Sequence, residues 1–140
     1  MFIAAYLATF AACSFYAWRA GGAPERIGVA TLCAAVAASE AVSRTVHPTF
    51  LGVEWGYTLV DGLALVGFTV LACRAQRYWP MFVAAILLDQ ILTHLLMLSP
   101  KLMPFSYSVM LAIWSFAKPP IIAVGAWRHR RRLASLGSDP

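Results

Sequence analysis

The apolar residues of this chain fall into five long runs, separated by short stretches that contain charged residues, glycine or proline. A transmembrane helix needs about 20 mostly apolar residues to cross roughly 30 Å of hydrocarbon, and each run is close to that length. The pattern therefore predicts an all-α, polytopic membrane helix bundle with five transmembrane helices, four being the alternative. The predicted spans are residues 2–18, 27–46, 55–73, 80–99 and 105–127.

Composition supports a membrane environment. Of the 140 residues, 61% are hydrophobic and 12% are charged, whereas soluble domains are about 45–50% apolar. A soluble domain of this size has too much surface to bury so many apolar side chains. These values exclude an ordinary soluble enzyme, a disulfide-stapled secreted domain and a disordered chain. Because the links are short, we expect one domain over residues 1–127 and a basic cytoplasmic tail over residues 128–140.

The basic residues predict the orientation, since cytoplasmic links collect positive charge. Eight cations lie in the first link, the third link and the tail, and two lie on the other side. The amino terminus is therefore expected outside and the carboxyl terminus inside. The eight are Arg19, Arg26, Arg74, Arg77, Arg128, Arg130, Arg131 and Arg132, and the two are Arg44 and Lys101.

Two further inferences come from the same residues. Nine arginines against two lysines, with abundant alanine, are typical of a GC-rich bacterial genome, so the predicted location is a bacterial inner membrane. The arginines directly after the last span are expected to fix the topology and to contact anionic lipid headgroups, and nucleic-acid binding is not expected. They are Arg128, Arg130, Arg131 and Arg132.

Ionisable residues inside the spans are the most informative feature, because they are costly in lipid and mark transport pathways or ion pairs. Glu40 and Arg44 are four residues apart with the acid first, which favours a structural ion pair on one helix. Asp89 and Lys118 are expected at similar depths on different helices, so we predict that they face each other or share water.

Asp61 and His94 are also expected at one depth, and a carboxyl and an imidazole there can exchange a proton near neutral pH. Gln90 lies one turn before His94, where its side chain could orient the imidazole. A simple interhelical hydrogen bond without transport is the alternative for His94. Ligation of a haem or chlorophyll by His94 is a less favoured alternative, and no cofactor is otherwise expected.

Helix packing and helix shape are predicted from small residues and from proline. Rows of alanine at four-residue spacing in the first two spans predict close packing of these spans, either with each other or with a partner subunit. Pro119 and Pro120 remove two backbone donors from the fifth span, so a kink or a break is expected there. The three cysteines show no spacing typical of a metal site or a disulfide framework.

The predicted function is a small helix bundle that relays protons or passes a small ion or solute through an intramembrane polar network. A homo-oligomer would supply a wall that five short helices lack. An accessory or assembly subunit of a larger membrane complex is the alternative. No catalytic motif is present, so an enzyme is not expected. The network residues are Glu40, Asp61, Asp89, His94 and Lys118.

Overall fold

The computed structural model describes residues 2–45, 55–96 and 104–136. These residues form five helices and no strand, and four helices are long and apolar enough to cross a membrane. The prediction of an all-α polytopic bundle is confirmed. Lys101, residues 97–99 at the predicted end of the fourth span and residues 137–140 lie outside the described residues. The helices are α1 (Phe2–Ala20), α2 (Ala23–Thr45), α3 (Trp55–Arg74), α4 (Trp79–Leu96) and α5 (Pro104–Leu136).

A two-residue link joins α1 to α2, and its glycines make this tight turn possible. The Gly21 amide donates to the Ala17 carbonyl at 3.0 Å, and a Cβ on Gly21 would lie 2.4 Å from that oxygen. The Gly22 amide donates to Glu25 Oε2 at 2.9 Å. Glu25 is the third residue of α2, so its carboxylate caps the exposed amide at the helix start.

Helix α5 extends further than the hydrophobic pattern predicts. It continues past residue 127 through the basic segment to Leu136, so most of the predicted tail is helical. Pro119 and Pro120 lie inside this continuous helix, which excludes a break, whereas the kink stays a prediction. Pro119 is buried, so its face of the helix is directed at protein.

Helix α5 packs against α1 and α4, and α3 packs against α4 and α2. Helix α2 makes much smaller contacts with α1 and with α5 than α1 makes with α5. The tight packing expected between the first two spans is therefore not the main contact of either helix. Most of the alanines that predicted it are exposed, namely Ala4, Ala8, Ala12, Ala30 and Ala34.

One end of the bundle contains the α1–α2 link, the α3–α4 link and the last turns of α5, as contacts from Glu25 to Trp79 and from Arg77 to His129 show. We call it the basic end, and we call the end where α2 finishes and α3 begins the opposite end. The buried apolar core lies mainly in the half toward the basic end. Its largest members are Leu32, Phe68, Leu71, Trp79, Leu87 and Ile122.

Candidate functional site

Four polar side chains from three helices meet inside the bundle, and we call them the central polar cluster. They are Asp61 on α3, Gln90 and His94 on α4, and Lys118 on α5, and each is at most 8% exposed. Buried ionisable groups are expensive unless they are paired or hydrogen-bonded. The contacts within the cluster meet that requirement.

Asp61 and His94 form a direct pair, with 3.1 Å between Asp61 Oδ2 and His94 Nε2. The structure thus brings together the two residues that the sequence places at one depth. When the imidazole is neutral, an Nε2–H donates to the carboxylate, and when it is protonated the contact becomes an ion pair. The geometry therefore accommodates two protonation states without moving either side chain.

Lys118 contacts the amide of the cluster and interacts with its acid at longer range. Its ammonium donates to Gln90 Oε1 at 2.7 Å, and it interacts electrostatically with the Asp61 carboxylate. Gln90 is thus a partner of the lysine, and its role in orienting His94 stays a prediction. One positive and one negative side chain share this interior, which limits its net charge.

Asp89 lies outside the central polar cluster, so the structure does not bring it to Lys118. Its side chain is exposed, whereas that of the next residue, Gln90, is buried. Successive residues of a helix point in directions about 100° apart, so Asp89 can face outward while Gln90 faces the interior. The Thr93 hydroxyl donates to the backbone carbonyl of Asp89 at 2.8 Å. The predicted network is therefore corrected by removing Asp89 from it.

The outer surface near Asp89 has a second polar feature. A shallow groove between α4 and α5 contains Asp89 and Trp114 among apolar side chains. The indole nitrogen of Trp114 is buried and has no hydrogen-bond partner among the residues described. Within the same described ranges, no cation contacts the Asp89 carboxylate. This face therefore presents the Asp89 carboxylate, an acceptor, on the outside of the bundle, whereas the Trp114 N–H lies below the surface.

Glu40 and Arg44 form the ion pair predicted from their spacing, with 3.1 Å between Glu40 Oε1 and Arg44 Nε. Both side chains are more than half exposed, and such surface pairs contribute little stability. The pair lies near the end of α2, away from the central polar cluster along the helix.

A cavity of about 900 Å³ connects Glu40 with the central polar cluster. It lies at the loose junction between α1 and α2 and is mostly apolar. Asp61, Gln90 and Lys118 line its deep part, and Ser39, Glu40 and Ser43 line the part near the opposite end. Beyond Lys118, toward the basic end, the interior is filled by the core residues Leu87 and Ile122. Among the described residues, this cavity therefore approaches the cluster from the side of the opposite end.

A second buried site lies at the basic end and was missed by the sequence analysis. Glu25 is completely buried and accepts a hydrogen bond from Trp79 Nε1 at 3.0 Å. Arg77 Nε lies 3.9 Å from Glu25 Oε1. The Nη2 atom of Arg77 donates to His129 Nδ1 at 2.8 Å. We call Glu25, Arg77, Trp79 and His129 the basic-end cluster. Because arginine can only donate, His129 accepts through Nδ1.

One signal for the basic-end cluster was present in the sequence. Glu25 is the single acidic residue in the first and third links, which together carry four arginines. An acid in the third position of a helix after glycine is also typical of a cap. Its partners come from α3–α4 and α5, so their identity depends on the tertiary fold.

The possible metal donors among the described residues are spread through the bundle. Over residues 4–45, 55–96 and 108–136 no three His, Cys, Asp or Glu side chains come together as metal ligands. Cys13, Cys33 and Cys73 are free. His94 Nε2 faces Asp61, so this nitrogen is not directed at a haem or chlorophyll metal.

Comparison with protein-family models, with curated proteins and with solved structures finds no match to this chain. Function is therefore argued from geometry and chemistry.

Proposed function

We propose that this protein relays protons, or passes a small ion or solute, across a membrane by way of the central polar cluster. The observation that supports the proposal is the buried Asp61–His94 pair, whose acid lines the cavity at the α1–α2 junction. Acidic and imidazole groups inside membrane helices are typical of proton relays. By the distribution of arginines, we place the basic end in the cytoplasm of a bacterial cell.

The cavity gives the pair access from one side. Its polar residues extend from Ser43 to Asp61, so water or a solute entering near the opposite end reaches the carboxylate. The apolar core blocks the remaining distance to the basic end. Under this proposal the structure corresponds to a state open on one side, and passage requires a second state in which the basic half opens. The α1–α2 junction has little contact, so a movement there separates few residues.

The protonation step follows from the hydrogen-bond geometry. In the proposed resting state a neutral His94 donates its Nε2–H to Asp61 Oδ2, and the two heavy atoms lie 3.1 Å apart. A second proton from cavity water gives a carboxylate paired with an imidazolium, and loss of that proton restores the first state. The Lys118 ammonium stabilises the negative charge of Asp61 in both states. The cluster can thus take up and release one proton while remaining hydrogen-bonded.

The test is a flux assay in proteoliposomes, with a pH gradient imposed across the membrane and a pH-sensitive dye inside. Proton flux with wild-type protein is expected to exceed that of empty liposomes, and Asp61→Asn and His94→Gln are expected to reduce it to the empty-liposome level. Asp89→Asn is the matched control, because it removes an equivalent carboxyl outside the cluster. Flux at the empty-liposome level for wild type, or unchanged flux in Asp61→Asn, would refute the proton relay.

A second candidate function is an accessory or assembly subunit, and the outer groove of α4 and α5 favours it. There the exposed Asp89 carboxylate has no cationic partner among the described residues. A neighbouring helix in an oligomer or a larger complex would supply that partner. Under this function Asp89→Asn reduces the size of the complex seen in native gels, while Asp61→Asn does not.

A further inference from the structure

We propose that the groove between the start of α4 and the second half of α5 is a binding site for one anionic phospholipid. The groove lies at the basic end and has a volume of about 310 Å³. Its charged part is formed by Arg77, Arg128 and Arg132, and its apolar part includes Phe82, Ile121 and Val124. A site with cations at the headgroup level and an apolar extension toward the bilayer matches the two parts of a phospholipid.

The charge in the groove is not balanced by the protein. Arg77 has one acidic neighbour, Glu25, at 3.9 Å. Arg128 and Arg132 make no ion pair with any described residue, and both are exposed. These two arginines are four residues apart, so they extend from the same face of α5. Together they provide planar donors suited to the oxygens of a phosphate group.

The floor of the groove is shaped by a close contact between Trp79 and Gly125. A Cβ on Gly125 would lie 2.5 Å from Trp79 Cδ1, so the absence of a side chain lets the indole lie directly against α5. Trp79 is held in that position by its hydrogen bond to Glu25. The basic-end cluster therefore supports one wall of the groove.

The apolar part continues along the outer face of the bundle. Phe82 and Ile121 also line the groove that reaches Trp114. At 1.5 Å per residue, α5 rises about 21 Å between Arg128 and Trp114. Half of the hydrocarbon core is roughly 15 Å, so the combined groove is long enough for an acyl chain within one leaflet. Phe82 and Val124 are more than half exposed, which leaves the groove open to lipid from the side.

The other arginines of the same basic run point elsewhere and serve as internal controls. Arg130 lines a different pocket together with Arg19 and Phe15. Arg131 stacks over the Trp127 ring, with its guanidinium carbon 4.3 Å from the ring centroid. The basic run is thus divided between faces of α5, and two of its members face the groove.

The experiment titrates the full-length protein, in an uncharged detergent, with long-chain phosphatidylglycerol and counts bound lipids by native mass spectrometry. We expect one tightly bound phosphatidylglycerol and much weaker binding of phosphatidylcholine with the same chains. Arg128→Gln/Arg132→Gln should weaken binding about 30-fold, since each arginine near a lipid surface contributes about 1 kcal/mol. Arg130→Gln/Arg131→Gln should change binding less than about threefold, because distant charges are screened.

Two further arms separate a lipid site from a simple anion site. Val124→Trp fills the apolar part without changing charge, and it should weaken lipid binding. Inorganic phosphate should not displace the lipid at equal concentration, because it lacks the acyl chain. Equal loss in the two double variants, equal affinity for the two lipids, or full displacement by phosphate would overturn the proposal. Circular dichroism of each variant establishes that the helices are retained.

Discussion

Replacing Glu25 with alanine is expected to destabilise the bundle more than any change at the exposed acids. Two hydrogen bonds end on its carboxylate, from the Trp79 indole at 3.0 Å and from the Gly22 amide at 2.9 Å. Leaving a buried donor unpaired costs about 1–3 kcal/mol for each group. The positive charge of Arg77 also loses its acidic neighbour. The expected loss is about 3–5 kcal/mol in the free energy of unfolding.

Glu25→Gln separates the hydrogen bonds from the packing. Glutamine keeps one oxygen for the Trp79 indole but places an NH₂ group against the Gly22 amide, so one bond is lost. The expected cost is about 1–2 kcal/mol. Glu40→Ala is the control, because the exposed Glu40–Arg44 pair is worth about 0.3–0.5 kcal/mol. The order of stability should be wild type, Glu40→Ala, Glu25→Gln and Glu25→Ala.

The assay is reversible unfolding in mixed micelles with an increasing fraction of dodecyl sulfate, followed by helical circular dichroism. Circular dichroism is preferred to fluorescence because Trp79 belongs to the site itself. The unfolding midpoint of Glu25→Ala should be far below that of wild type, and the midpoint of Glu40→Ala should be close to it. If Glu25→Ala and Glu40→Ala have the same unfolding midpoint, the buried carboxylate does not hold the α1–α2 link, the α3–α4 link and α5 together, and the reasoning is refuted.

Two other predictions follow from the contacts and from the arginine distribution. Gly125→Ala should lower the unfolding midpoint by the equivalent of about 1–3 kcal/mol, because the new Cβ overlaps Trp79. Gly62→Ala is the control: its Cβ would have no atom within 4 Å, so the midpoint should stay the same or rise by the equivalent of up to about 1 kcal/mol. The reverse order of the two variants would contradict the packing. Cys73 is exposed next to Arg74 at the basic end. A variant that keeps only this cysteine should react with a membrane-impermeant maleimide only after cells are opened. Labelling of intact cells would contradict a cytoplasmic basic end.

The helices were predictable because each apolar run can satisfy its backbone hydrogen bonds in lipid only within itself. The ends were less predictable. Helix α5 continues to Leu136, although the hydropathy pattern stops near residue 127, since arginine, leucine and alanine are good helix formers and the helix does not end where the apolar run does.

The direction in which a side chain faces was harder to predict than its depth. Asp61 and His94 could be placed at one level from the short links and the helical rise. Asp89 and Gln90 have nearly the same depth, yet only Gln90 is buried. Spans that are apolar on all sides lack the periodicity that separates an inner face from an outer face. The partner of Lys118 therefore depended on tertiary packing.

The basic-end cluster shows the same limit at the level of contacts. The acid cap at Glu25 was recognisable from its position after Gly22, because capping is a local pattern. Its contact with Trp79 joins residues 54 positions apart, and Trp79 alone suggested only an interfacial anchor. Long-range pairs of this kind have no local signature in a single sequence.

The central claim is that Asp61 and His94 take up and release a proton as one unit, and infrared difference spectroscopy of the protein in lipid tests it most directly. Spectra recorded in acid, neutral and alkaline buffers should contain an Asp61 carboxylate band that shifts as His94 gains or loses its proton. This band should disappear in Asp61→Asn, lose its response to pH in His94→Gln and persist in Asp89→Asn. An Asp61 signal that is the same in all three buffers, or that ignores the loss of the His94 imidazole, would contradict the account.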